Sequence, residues 1–370
     1  MPVYLDHNAT APVRPEAVRA MTDALNHVGN ASSVHRFGRD ARRRVEDARE
    51  TVAALIGVQP GDLVFTSGGT EANNTALRGH GRTRTLVSAG EHEAVLQARP
   101  DAETVPLRSD GTVDLDALDV ALAADDRPAL VSVMLANNET GAINPVQQVV
   151  EIARRHGARV HCDAVQAPGK IAVDARALGV DLITVSSHKL GGPQGAGALA
   201  VLDGQSVAPL LAGGGQERKQ RAGTENVPAI AGFGAAAEAA LADLVRMTEC
   251  AAWRDRLEAE ARALCPRLQV HGAGAARLPN TSCLGLPGVR AETQVMALDL
   301  AGVAVSSGSA CSSGKVHASH VLRAMGVSED DADSAVRVSL GWTSTADDID
   351  VFLDAWGKLV RRHGLAADAA

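Results

Sequence analysis

Aromatic side chains are scarce: Phe, Trp and Tyr together make up 2% of 370 residues. A site that must stack on a flat ligand therefore has to use another ring, and the twelve histidines supply it. Positive charge is not in excess either. With 36 basic against 44 acidic residues and a formal net charge of −8, nothing in the electrostatics calls for nucleic acid or an anionic membrane as partner. The five cysteines (Cys162, Cys250, Cys265, Cys283, Cys311) are odd in number, scattered and without CxxC spacing. This argues against a disulfide framework and a structural zinc site, so no metal is expected. The opening MPVYLDHNAT lacks a basic region followed by an apolar stretch, and no apolar run reaches the ~18 residues of a membrane span. A cytoplasmic location with no membrane partner is the expectation.

What is present is enough apolar material, 45% of the residues, for a large core. Single cores stop growing near ~250–300 residues, so two domains are expected: 12–250 as the larger, with 1–11 and 251–370 forming the smaller. Short apolar runs at 63–66, 85–88, 130–135, 159–162, 182–186 and 197–201 alternate with helical patterns, the rhythm of parallel strands joined by crossover helices. The fold class is α/β, a mostly parallel sheet covered by helices with a smaller α+β domain. In 38–56, Val45, Ala48, Val52, Leu55 and Ile56 fall on one helical face. The arginine run 42–44 shares that helix with Glu46, Asp47 and Glu50 and reads as a solvated face. An Ala- and Leu-rich stretch from 227 to about 265 predicts a long helix or helix pair linking the domains.

Two groups interrupt this pattern with chemistry. Cys311 lies in SSGSACSSG, among small flexible residues that cannot form a core and so present the thiol. Lys189, in SSHKLGG, follows an apolar strand at a Gly-rich turn, where an amine can form a Schiff base with an aldehyde cofactor. Asp163 ends the strand in RVHCDAVQ, at the edge where open α/β sheets bind ligands, and can pair with a protonated pyridine nitrogen. Cys162 beside it points the other way, into the core. In FTSGGTEANN a strand runs through Gly68 and Gly69 into a helix near Thr70, and backbone amides at such a terminus bind anions. Gly69, Thr70, Ser186 and His188 form a phosphate donor set, and His92 in GEHEAV becomes the stacking ring. A Lys imine, an Asp for a ring nitrogen, a phosphate cup and a flat ring together describe a site for pyridoxal 5′-phosphate (PLP).

These motifs, with YLDHNATAPV, SSVHRFG, NNETG, GGGQE, GTEN and RVSLG in the same order, resemble the cysteine desulfurases of the NifS/IscS type, of the class V aminotransferase fold. The resemblance covers nearly the whole chain. It implies PLP on Lys189, Asp163 at the pyridine nitrogen, Gln166 at the ring hydroxyl, and His92 stacked on the ring and assisting proton transfers. It also implies phosphate contacts from Gly69, Thr70, Ser186, Ser187 and His188, with Thr224 reaching in from the other subunit of a homodimer. Asn138 and Arg337 would bind the substrate carboxylate. Ala222 and Gln194 depart from the residues common in the family, and neither removes a group that the chemistry needs.

The implied reaction converts L-cysteine to L-alanine, with Cys311, Lys189 and His92 catalytic and the sulfur carried as a persulfide on Cys311 to an acceptor. The longer cysteine segment points to an iron–sulfur scaffold protein as that acceptor. A selenocysteine lyase, or another PLP enzyme of the same fold such as an aminotransferase or a kynureninase-like hydrolase, is the alternative. The last two need no thiol.

Overall fold

The computed structural model describes residues 2–307 and 319–366. After β1 (Val3–Tyr4), seven strands form the main sheet: β2 (Leu63–Thr66), β3 (Arg84–Ser88), β4 (Glu103–Val105), β5 (Ala129–Ser132), β6 (Arg159–Asp163), β7 (Leu182–Ser186) and β8 (Gly197–Val201). Their order is β2-β8-β7-β6-β5-β3-β4. Most of these strands are buried throughout, which is why they read as continuous apolar runs and not as alternation. One strand departs from the expected direction: β8 runs antiparallel to both β2 and β7. The connection 187–196 is shorter than the dozen or more residues that a parallel crossover needs, so the chain turns back beside β7.

The main core combines this sheet with the helix Arg36–Leu55, whose inner face carries Val45, Ala48 and Val52, and the helix Val227–Ala242. On the outer face Arg42 pairs with Glu46 at 2.7 Å and Arg44 with Asp23, so the arginine run is a solvated face. A four-stranded antiparallel sheet, ordered β12-β13-β10-β9, is built from β9 (Gln269–His271), β10 (Thr281–Gly285), β12 (Ser306–Ser307) and β13 (Ala335–Ser339). The strand β11 (Val303–Ala304) pairs in parallel with β1. A second core gathers Val3 and Leu5 with Met247, Cys250, Val336, Val338 and Trp356.

One expectation needs correction. The helical stretch Val227–Leu264 is long and apolar enough to cross a membrane by length and hydropathy alone, with half of its apolar window buried inside the protein. Its first helix is Ala- and Gly-rich because it packs closely: a Cβ on Gly234 would meet Ala48 at 2.7 Å. That burial makes it a core helix.

The GGGQE motif has a structural account. Glu217, Arg218 and Lys219 have φ of 43°, 55° and 67°, left-handed values that cost a non-glycine residue about 1–2 kcal/mol each. Surrounding contacts hold them there. Arg49 grips the Glu217 carboxylate at 2.7 and 2.8 Å, Phe65 N donates to it at 2.9 Å, and Arg218 donates to the Leu63 carbonyl. Both Arg49 and Glu217 are only 2% exposed. Glu217→Ala therefore strands a buried guanidinium and frees the strained turn, with an expected loss of about 3–5 kcal/mol. Chemical denaturation of variant and parent measures it; an unchanged midpoint would remove this role.

Candidate functional site

Because β3, β5, β6 and β7 are parallel, and β2 points the same way across β8, the residues that follow them collect at one edge of the sheet. Asp163 ends β6, and Lys189 closes the 3-10 turn Ser187–Lys189 after β7. The helix Gly69–Gly79 starts after β2, while His92 caps the short helix Glu93–Leu96 after β3. A cavity of about 260 Å³ opens there, near the lower end of the ~300–1,000 Å³ usual for ligand sites. Its wall includes Lys189, Asp163, Gln166 and His92, together with Gly69, Thr70, Ser186 and His188. Asn138 and Arg337 also line it.

Three expected residues stand apart. Ser187 does not line the cavity: its hydroxyl is buried with no hydrogen-bond partner among the described residues and sits where a Cβ on Gly192 would come within 2.1 Å. Adjacent residues on a tight turn point in different directions, so Ser186 and His188 face the cavity while Ser187 faces the helix behind. Thr224 is exposed and is not part of this chain's own cavity wall. Cys311 lies outside the described residues. The chain around it is anchored on both sides: Ser306 in β12 lies opposite Arg337, and the Ser319 hydroxyl donates to the buried Glu139 carboxylate.

The close approach at the helix start depends on glycine. Gly68 adopts φ 154° and ψ 178°, and a Cβ on Gly69 would meet Val165 Cγ2 at 2.9 Å. With both side chains missing, the first amides of the helix are open to an anion. Asp163, 5% exposed, accepts from Asn73 Nδ2 at 2.7 Å and from Val165 N at 2.9 Å. Two donors hold the carboxylate in place.

The neighbouring Glu91 is fully buried and accepts from Met134 N at 2.5 Å. Burial first, and then the Asp163 charge, push its carboxyl well above the usual range. A second anion beside Asp163 is thereby disfavoured at Glu91.

Lys189 Nζ donates to the carbonyls of Asn8 at 2.6 Å and Ala9 at 2.8 Å. His188 is pushed down to about 4, by burial first and then by Lys189 and Lys170, so at pH 7 it is a neutral hydrogen-bonding ring. Its Nδ1 lies 3.2 Å from Thr10 Oγ1. His92 Nδ1 accepts from Ala94 N at 3.0 Å, which assigns the proton of the neutral ring to Nε2. Arg337, 2% exposed, pairs with Asp6 at 2.7 Å and donates to the Asn138 carbonyl at 3.2 Å. Its Nε is buried with no acceptor among the described residues.

Asn8, Asn73, Glu91 and Lys170 belong to this network and carried no role in the sequence reading. The first three lie inside motifs already singled out, YLDHNATAPV, FTSGGTEANN and GEHEAV, and the signal was their polarity beside buried strand ends. The donor set suits PLP: an amine, a fixed carboxylate, a flat ring and an anion-binding helix start within one cavity.

The family described as Aminotransferase class-V matches residues 3–352. A cysteine desulfurase of Cereibacter sphaeroides is 44% identical, over 97% of this chain and 95% of that protein. Cysteine desulfurase IscS of Dictyoglomus turgidum is 40% identical, over 97% and 95%. The crystal structure of a NifS-like protein from Rickettsia africae superposes with a TM-score of 0.91 at 33% identity, covering 98% of this chain and all of that one.

Proposed function

The chain belongs to the class-V aminotransferase family, as a PLP-dependent enzyme of the cysteine desulfurase type, and from that premise we propose that it passes the sulfur of L-cysteine through a persulfide on Cys311 to an acceptor. The observation that carries this reading is the single cavity shared by Lys189, Asp163, His92 and Arg337.

PLP, when bound, supplies an electron sink for the α-carbon of the substrate. Lys189 would hold it, Asp163 would face its ring nitrogen, and Gly69, Thr70, Ser186 and His188 would take its phosphate. The chain's own groups do the rest. Arg337 takes the L-cysteine carboxylate in a two-pronged contact, with Asn138 beside it. Lys189 Nζ takes the α-proton, and the Nε2 side of His92 serves the sulfur and its proton. The Cys311 thiolate attacks the substrate sulfur: an S–S bond forms, the C–S bond breaks, and its electron pair returns to the carbon skeleton, which is protonated to alanine. A reference thiol pKa near ~8.5 leaves little thiolate at pH 7, so the attack depends on a proton acceptor nearby.

The acceptor in this reading is an iron–sulfur scaffold protein, and the active form is a homodimer in which Thr224 completes the partner's site. Support for the dimer comes from Leu25, Val28, Val34 and Phe37, 57–87% exposed along one segment. Residues 1–11 and 251–370 form the smaller domain in this reading, and 12–250 the larger; Val3 and Leu5 packing in the core of the strand that carries Arg337 supports joining the N-terminus to the C-terminal part, although Met247 and Cys250 pack in that core as well.

The test is a PLP-loaded preparation given L-cysteine and a reducing thiol. Alanine and sulfide in equal amounts are expected, with Cys311→Ser losing sulfide release while keeping the visible absorption of bound PLP. Full sulfide release by Cys311→Ser would refute the persulfide route.

A further inference from the structure

Lys170 is 7% exposed and does not line the cavity. The turn through Gly169, φ 77°, folds it back under Gln166, four residues earlier. Its Nζ donates to Gln166 Oε1 at 2.6 Å and to Asn8 Oδ1 at 2.8 Å, both neutral amide oxygens. We propose that Lys170 is a positioning residue for this site, its amine donors fixing which way the Gln166 and Asn8 amides face, so that Gln166 turns an N–H toward the cavity and Asn8 holds its carbonyl to Lys189.

The hydrogen bonds make the argument. With Oε1 taken by the Lys170 Nζ donor, Gln166 Nε2 must lie on the other side, where it donates to the Asn8 carbonyl at 3.0 Å. That uses one N–H and leaves the second for the cavity that Gln166 lines. Asn8 is locked in the same way: Oδ1 also accepts from Asn280 Nδ2 at 3.1 Å, and Nδ2 donates to Thr281 Oγ1 at 2.9 Å and to the Asn138 carbonyl at 3.1 Å. The Asn8 carbonyl, now fixed, receives Lys189 Nζ. One buried amine thus links the donor facing the ligand to the seat of the reactive lysine.

The charges point the same way. Burial first, and then the charges of Lys189 and Arg337, push the Lys170 amine well below its usual range, and His7 and His188 feel the same amine. A buried cation in such company is unfavourable in the empty protein and favourable beside an anionic oxygen. The inference rests on the PLP reading above, because the oxygen that Gln166 addresses belongs to the cofactor ring.

The experiment is a pH titration of the visible band of PLP-loaded, full-length protein. Its midpoint reports proton loss at the Lys189 nitrogen, which a neighbouring cation and an N–H to the adjacent oxygen both favour. Lys170→Met should raise the midpoint by about one pH unit or more. Gln166→Leu should raise it too, and the double variant should shift it less than the sum, since the two act as one unit. If Lys170→Met does not fold, Lys170→Gln keeps an N–H for Gln166 without the charge, and its midpoint should still rise. A midpoint that stays at the parent value in the folded variant overturns the proposal, as do fully additive shifts. Failure of the unaltered protein to take up PLP would instead overturn the cofactor reading, which keeps the two apart.

Discussion

Lys189→Ala is expected to lose the visible band of PLP-loaded protein and to lower alanine formation from L-cysteine by roughly 10⁴-fold or more, the range seen when a group acting on reacting atoms is removed. The reason is positional as well as chemical. Nζ is held by the carbonyls of Asn8 and Ala9, two backbone acceptors that cannot neutralise it but fix where it stands. An amine placed this way can release its proton, attack a carbonyl carbon and take a proton from a substrate carbon. Lys189→Arg should fare no better, because a guanidinium stays protonated at every accessible pH. The lysine is half-buried at the end of a turn, so neither variant should unfold the protein. Absorbance spectra with alanine assays at equal protein concentration decide it, and a retained band in Lys189→Ala would show that some other amine holds the cofactor.

The cavity was legible in the sequence wherever strand order alone places a residue. Asp163, Lys189 and His92 sit at the ends of apolar runs, and a parallel sheet must bring such ends together. The antiparallel β8 escaped because a short apolar run has no direction; only the connection 187–196 could have revealed it. Ser187 was misplaced because adjacency along the chain is not adjacency in space on a tight turn. Lys170 and Asn8 were hidden for another reason. A lysine after a Pro-Gly turn reads as a surface residue, and only the tertiary fold, which brings residue 8 against residues 166, 170 and 189, makes it a buried donor. The Arg49–Glu217 pair is similar: 168 positions separate the partners. Local pattern reports which residues are reactive, whereas long-range hydrogen bonds decide what holds them.

Arg337→Met is the second large effect expected, a fall in kcat/KM for L-cysteine of roughly 10³-fold, equivalent to about 4 kcal/mol of lost transition-state binding. The guanidinium is buried in the middle of β13 and its ion-pair partner Asp6 holds only one edge. The buried Nε has no acceptor among the described residues, an unfavourable arrangement that an incoming carboxylate resolves. The loss should fall mainly on KM, since the contact is made before and during the reaction alike. Lys at this position keeps the charge but not the planar fork, so Arg337→Lys should recover only part of it. Asp6 keeps access to water, its side chain being 18% exposed, so the variant should lose less stability than Glu217→Ala, where both partners are sealed. The visible band should persist, because the hydrogen bonds of this side chain go to Asp6 and the Asn138 carbonyl. L-Cysteine methyl ester gives the decisive comparison: with no carboxylate for Arg337 to grip, it should react equally slowly with parent and variant. A parent that handles ester and acid alike would mean that Arg337 serves only Asp6 and the fold.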